Sequence, residues 1–167
     1  MGAHTSLALL CGYSPKGQRV HLQVPRNRGS NTTLLASMTL GGMGETMVVE
    51  GSTNRGVFEA CVEHALTPKL EAGQVVVMDN LSAHKPARVR EPIEERGCEL
   101  VYLPTYSPDF DPIEEAFSKI KDMLRQAGAR TKDALVEVLG EALSAISDQD
   151  ARGFFEHAGY RPQAQLP

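Results

Sequence analysis

Four consecutive apolar residues, Val75–Met78, run without a break into Asp79 and Asn80. A run this short, apolar and β-branched predicts a fully buried strand. Two readings account for a buried strand that ends on a carboxylate. Either the chain has surfaced there, or Asp79 stands at the carboxyl end of a strand, where α/β proteins place their chemistry.

The rest of the chain predicts an α/β domain. Val20, Leu22 and Val24 alternate and suggest a strand over 19–24, followed by a turn-rich loop, "PRNRGSN". Strands are expected at 32–40 and 46–50, joined through "GGMGE" as an antiparallel meander. From Val57 the apolar positions 57, 58, 61, 62, 65 and 66 trace one face of a helix that Pro68 helps to end. A strand follows at 74–78. A helix starting at Ser82 or Ala83 runs to Arg96, with Val89 and Ile93 inward and a bend at Pro92. Gly97 stops it, a strand covers 98–103, "PTYSPDFDP" is a rigid loop, and helices occupy about 112–127 and 131–147. The order predicts a mixed sheet flanked by helices.

Composition narrows the class. A chain of 167 residues supports one domain with a real core. Its formal net charge of -4 argues against a purely electrostatic nucleic-acid binder, though not against local basic clusters. No apolar run reaches membrane-spanning length, and the first residues carry no basic-then-apolar leader pattern, so no membrane partner is expected. Cys11, Cys61 and Cys98 have no paired spacing and read as reduced thiols of a cytoplasmic protein.

A second carboxylate stands out in "DFDPIEEAFSKIKDMLR". Asp111 can cap the helix, Pro112 suits its first position, and Glu114 lies three residues past the cap. A capping-box glutamate is therefore one reading of Glu114. The apolar face is Ile113, Ala116, Phe117, Ile120, Leu124 and Ala127; Glu114 lies off it, in line with Ser118, Lys121 and Arg125. Lys121 and Arg125 read as a solvated face or as contacts to a phosphate backbone. Asp79 and Glu114 are separated by 34 residues that hold a helix, a strand and the proline-rich loop. Two hard oxygen ligands from separate elements at one sheet edge are what a magnesium site requires.

"VVVMDNLSAHK", "LVYLPTYSPDFDPIEEAFSKIK" and "GYSPKGQR" resemble the DDE transposases of bacterial insertion sequences in the mariner superfamily. The resemblance runs from about residue 4 to 160, leaving 161–167 as a carboxyl-terminal tail. It implies a ribonuclease H-like fold and an endonuclease domain over 1–160. It also implies two Mg2+ or Mn2+ ions, about 4 Å apart, acting in DNA strand cleavage and transfer. By position, Asp79 matches the second catalytic acid and Glu114 the third, with Glu115 a neighbouring mimic. Asn80, His84, Tyr106, Ser107, Pro108 and Pro112 match the surrounding motif. The implied partners are transposon-end and target DNA, a second copy or a full-length transposase. The implied setting is the bacterial cytoplasm, at the nucleoid when DNA is bound.

The departures matter. The family's first aspartate sits in an Asp-Glu pair just ahead of a segment like residues 1–19, and here no Asp or Glu precedes Glu45. The DNA-reading helix-turn-helix is not among these residues either. An amino-terminally truncated domain is therefore expected, with its first strand missing or incomplete, marginally stable or self-associating, and inactive alone. Asp111 replaces the usual Asn and adds one more negative charge near the implied metal site, Thr105 replaces the usual Pro, and Phe117 the frequent Trp. The competing reading is a non-catalytic remnant acting at most as a DNA- or transposase-binding module. A different ribonuclease H-like nuclease fits the loop motif less well.

Weaker signals remain. Cys61 and His64 have helical spacing but no further ligands, so they read as a core thiol and a surface histidine. Lys16, Arg19, Arg26 and Arg28 read as DNA-phosphate contacts or as a solvated edge.

Overall fold

The structure, a computed structural model, describes residues 1–26, 29–81 and 87–161. Its strands form two hydrogen-bonded groups. In the first, β1 (Gly2–Ala3), β2 (Thr32–Thr39) and β3 (Gly42–Glu50) are antiparallel in the order β1-β2-β3. Gly2 pairs with Thr33, and the β2–β3 register runs from Thr32 opposite Glu50 to Thr39 opposite Gly42, with an irregularity between Ala36 and Met38. Gly42 turns the hairpin with φ 114, a conformation that disfavours a side chain. A Cβ there would also stand 3.1 Å from the Ile146 carbonyl oxygen. The second group is β4 (Val75–Met78) and β5 (Glu99–Tyr102), which are parallel.

Between the groups, α1 (Arg55–Cys61) starts two residues before the expected Val57, because the Asn54 side chain accepts the Val57 N–H. It widens into a π turn at Val62–Leu66 and tightens into a 3-10 turn at Thr67–Lys69. α2 is Ala87–Glu95, with Val89 and Ile93 fully buried and Pro92 inside, as the apolar spacing predicts; the start expected at Ser82 or Ala83 lies outside the described residues. Gly97, at φ 74, ends it. A 3-10 turn at Pro108–Phe110 leads into α3 (Pro112–Ala127), then α4 (Lys132–Ser144) and α5 (Asp148–His157).

Several expectations are corrected. Residues 19–24 form no strand: Val20, Leu22 and Val24 lie 52%, 50% and 43% exposed, since alternation without a partner strand gives no ladder. The hairpin's second strand begins at Gly42 rather than at 46. The last helix is not continuous to 147. α4 ends at Ser144, and a separate α5 begins after Ser147, whose side chain and Asp150 form a reciprocal capping box. That Ser-x-x-Asp signal was present in the sequence. β4 is not fully buried either. Val76 and Met78 face the core, while Val75 and Val77 lie 56% and 37% exposed, because the described elements cover only one face of this two-stranded sheet.

Two cores result. Ala3, Leu34, Phe117, Ile120, Leu124, Leu135, Leu139, Ala142 and Ile146 pack the first sheet against α3 and α4. Val62, Leu70, Val89, Ile93, Cys98 and Leu100 pack β4 and β5 against α2 and the π turn. No helix among the described residues is long and apolar enough to cross a membrane.

Candidate active site

Asp79 directly follows β4. Beyond the β4–β5 ladder, the Leu103 N–H donates to the Met78 carbonyl at 2.8 Å, so the exits of both parallel strands run side by side. The Asp79 carboxylate accepts the Leu81 N–H at 3.4 Å, and the Asn80 amide donates to the Thr105 hydroxyl at 3.2 Å. The 3-10 turn then brings the start of α3 back to the same edge. A cleft of about 380 Å³ is lined by Asp79, Asn80, Thr105, Tyr106, Asp111 and Glu114, among others. The two sequence-predicted acids, drawn from different cores, thus share one concave surface. Ser107 and Pro108 line it as well, while Pro112 is buried as the first residue of α3.

The capping-box reading of Glu114 does not hold. The Asp111 side chain makes no capping bond, and the Glu114 N–H goes instead to the Asp111 carbonyl oxygen at 3.1 Å. The Glu114 carboxylate is exposed toward the cleft. Glu115, its sequence mimic, turns away from this cleft and meets the His157 imidazole. Tyr106 lies on the rim, 98% exposed, and it is the one non-glycine residue with positive φ (60) among those described. Such strain persists only where surroundings enforce it, and it clusters at functional sites.

The cleft also adjoins the start of β1. The Met1 ammonium donates to the Leu34 carbonyl at 2.8 Å. Burial holds its pKa below the ordinary value, against the attraction of Glu114 and with the repulsion of Lys121. Lys121 lies about two turns along α3 from Glu114, on the same face by helical spacing. Arg125 is engaged by Asp122 on its own helix. Lys16, Arg19 and Arg26 are exposed on the irregular segment over 8–26, and Arg28 and His84 lie outside the described residues, as do 162–167 of the expected tail.

The donor set has the right chemistry for a hard divalent cation: the carboxylates of Asp79 and Glu114, with Asp111 on the same wall. Asn80 Oδ1 is buried with no hydrogen-bond partner among the described residues. An orphaned oxygen of this kind suits a bound ion or its water. No three acids, histidines or cysteines among the described residues converge closely enough to close a cage.

Sequence reasoning read Asp111 as a possible cap and as one more negative charge near the two acids; the structure drops the cap and puts Asp111 on the cleft wall. The Glu115–His157 contact and the bond from the Tyr160 hydroxyl to the Phe110 carbonyl, 2.9 Å, were also invisible, because their partners are 42 and 50 residues apart.

A strand-end aspartate and a helix-borne glutamate that line one cleft make an acidic site at the sheet's edge. The chain belongs to the DDE superfamily endonuclease family, whose model matches residues 2–136. It is 27% identical over 138 residues to the Tc1 transposase of Caenorhabditis elegans, covering 80% of this chain and 50% of that protein. The chain therefore spans about half the length of this curated relative. Its fold matches the Mos1 transposase paired-end complex with left transposon end at TM-score 0.74 and 20% identity, covering 93% of this chain and 49% of Mos1. It also matches the Mos1 transposase catalytic domain with raltegravir and magnesium at TM-score 0.64 and 20% identity, covering 78% and 73%. The fold is therefore ribonuclease H-like, of the mariner/Tc1 transposase type, with its mixed strand directions divided between two hydrogen-bonded groups.

Proposed function

We propose that the chain is the catalytic-domain portion of a bacterial insertion-sequence transposase. In this reading it works on transposon-end and target DNA, with itself or a full-length transposase as partner, in the cytoplasm at the nucleoid. One observation carries the reading: Asp79 and Glu114, held by two different cores, line a single cleft at the carboxyl end of β4.

Asp79 and Glu114 would hold Mg2+ or Mn2+, with Asn80 Oδ1 facing the ion's shell. The ion, when bound, supplies positive charge at a reacting phosphate. The chain's own residues do the positioning. Asp79 is oriented by the Leu81 N–H, and Asn80 by Thr105. Lys121, about two turns along α3 on the side of Glu114, would meet a DNA phosphate. Positioning supplies much of the rate of phosphoryl transfer. The family's first acid is an aspartate on its first strand, and no Asp or Glu precedes Glu45 here. The 167 residues thus supply two of three carboxylates, and we expect cleavage only when they are joined to a segment that supplies the third.

The second reading is a non-catalytic remnant that binds DNA or transposase. Two measurements separate the readings. In a Mn2+ titration, the chain binds weakly, and Asp79→Ala and Glu114→Ala each remove binding. In a nicking assay on labelled end DNA, the 167 residues alone are silent. A longer form carrying an upstream Asp-Glu strand and DNA-reading region cleaves, and loses cleavage on either substitution. Equal Mn2+ binding by wild type and the double variant sinks the ligand assignment. A silent longer form favours the remnant.

A further inference from the structure

The stretch that presents Glu114 buries little apolar surface of its own. Between buried Leu103 and buried Pro112, Tyr106 is 98% and Phe110 51% exposed, and a left-handed non-glycine residue interrupts the chain. Asp111 does not cap α3. A segment with so little buried apolar surface opens easily unless something distant secures it.

That distant element is α5. Lys119 on α3 bonds Asp150 at the start of α5 at 2.7 Å, and Glu115, one turn earlier on α3, meets His157 at its end. The two helices therefore lie antiparallel, and α5 reaches back to the first turn of α3. Just past α5, the Tyr160 hydroxyl donates to the Phe110 carbonyl at 2.9 Å, inside the 3-10 turn that precedes α3. The Tyr160 ring is steadied edge-on by Phe155, with centroids 5.7 Å apart. Ala151 and Ala158 are buried, which seats α5. Neighbouring helix residues project about 100° apart, given 3.6 residues per turn. Holding Glu115 on His157 therefore sets the rotation at which Glu114 leaves the helix, and it removes Glu115 as a competing ligand.

Building on the proposed acid site, we infer that Tyr160 and His157 are positioning residues: the end of α5 clamps the 105–114 loop so that Glu114 faces Asp79. Neither touches the reacting atoms.

Tyr160→Phe tests this, because it removes one hydroxyl and keeps the ring. The full 167-residue chain is compared with this variant, with His157→Gln and with Asp79→Ala, by hydrogen exchange resolved to peptides and by Mn2+ titration. In Tyr160→Phe, exchange over 105–114 should quicken about 5- to 10-fold, the effect of one lost ordinary hydrogen bond. Exchange in β2, β3 and α4 should stay unchanged. Mn2+ affinity should fall about 10-fold, as it does when a group supporting a ligand is lost. His157→Gln should move both readouts the same way, by less. Unchanged exchange over 105–114 overturns the clamp, as does an increase spread evenly over the chain. Local loosening with Mn2+ affinity intact, where Asp79→Ala still abolishes binding, overturns the positioning role. If Asp79→Ala leaves Mn2+ binding untouched, the ligand assignment fails, and the exchange data alone decide the clamp.

Discussion

The two cores of this protein are built on different principles. The first sheet is antiparallel, and β3 alternates half-buried Met43, Glu45, Met47 and Val49 with exposed Gly44, Thr46, Val48 and Glu50. One solvated face suits such a sheet, and α3 and α4 close the other over a core that includes Leu34, Ile120, Leu124, Leu135 and Leu139. The β4–β5 pair is parallel and apolar, as strands covered on both faces are, yet α2 and the π turn cover only one face. The well-packed half carries Glu114 and the thinly packed half carries Asp79. Neither core contains the candidate site, which exists only where the two meet. Stability and chemistry therefore have different addresses, and substitutions can separate them.

The largest expected effects come from the cores. Ile120→Ala and Ile93→Ala each empty a fully buried site and should cost about 2–5 kcal/mol in denaturant titration. Ile93 belongs to the smaller core, which can collapse more readily, so it should fall at the lower end. Hydrogen exchange sharpens the contrast: Ile93→Ala should loosen β4, β5 and α2 before β2 and β3. Uniform loosening by both variants would show that the halves act as one.

The uncovered face gives the next test. Val89→Thr places a hydroxyl in a fully buried position and should cost about 1–3 kcal/mol. Val77→Thr, on the open face, should stay within about 0.5 kcal/mol by thermal melting. A large loss at Val77 would mean that another element covers that face in solution.

A smaller effect is expected at the start of α5. Ser147→Ala removes a capping-box side chain and should cost about 1 kcal/mol, read by denaturant titration. A cost near zero would mean that α5 is held by its packing alone.

The smallest effects are pH-dependent and both lie on α5. The Lys119 bond, helped by Ser147, lowers the Asp150 pKa to about 2 from 3.8. A depressed carboxylate stabilises the fold above its unfolded pKa and loses that contribution as pH falls through the folded value. Wild type should therefore lose its margin over Asp150→Asn between about pH 4 and 2 in acid melts. His157 runs the other way. Bonding to Glu115, with attraction from Asp109, raises its pKa above 6.5. Its contribution is complete below pH 6.5 and fades as pH climbs through the raised value, so the gap between wild type and His157→Gln should close on the alkaline side.

Much of the fold was legible locally. The i, i+3, i+4 pattern from Ala116 to Leu124 named the buried face of α3, and Gly128, left-handed at φ 60, ended that helix as a glycine should. Val89 and Ile93 were identified as core, and Asp79 and Glu114 were placed at an element end and an element start. The Ser147–Asp150 box was equally local and was overlooked inside a longer apolar pattern. The expected strand over 19–24 failed for a different reason. Period-2 alternation reports a face available for burial, but a strand also needs a neighbour's backbone, which lies elsewhere in the chain.

The sequence by itself determined most of the elements, the buried faces of α2 and α3 and the two acids, because helix periodicity, turn residues and caps act within a few residues. Only the tertiary structure decided that β4 keeps one face open, that Asp111 walls a cleft instead of capping a helix, and that Glu115 turns to His157 while Glu114 lines the cleft with Asp79. The physical reason is range. A cleft between two cores depends on contacts between residues tens of positions apart, and no local spacing encodes how two separately packed surfaces will meet.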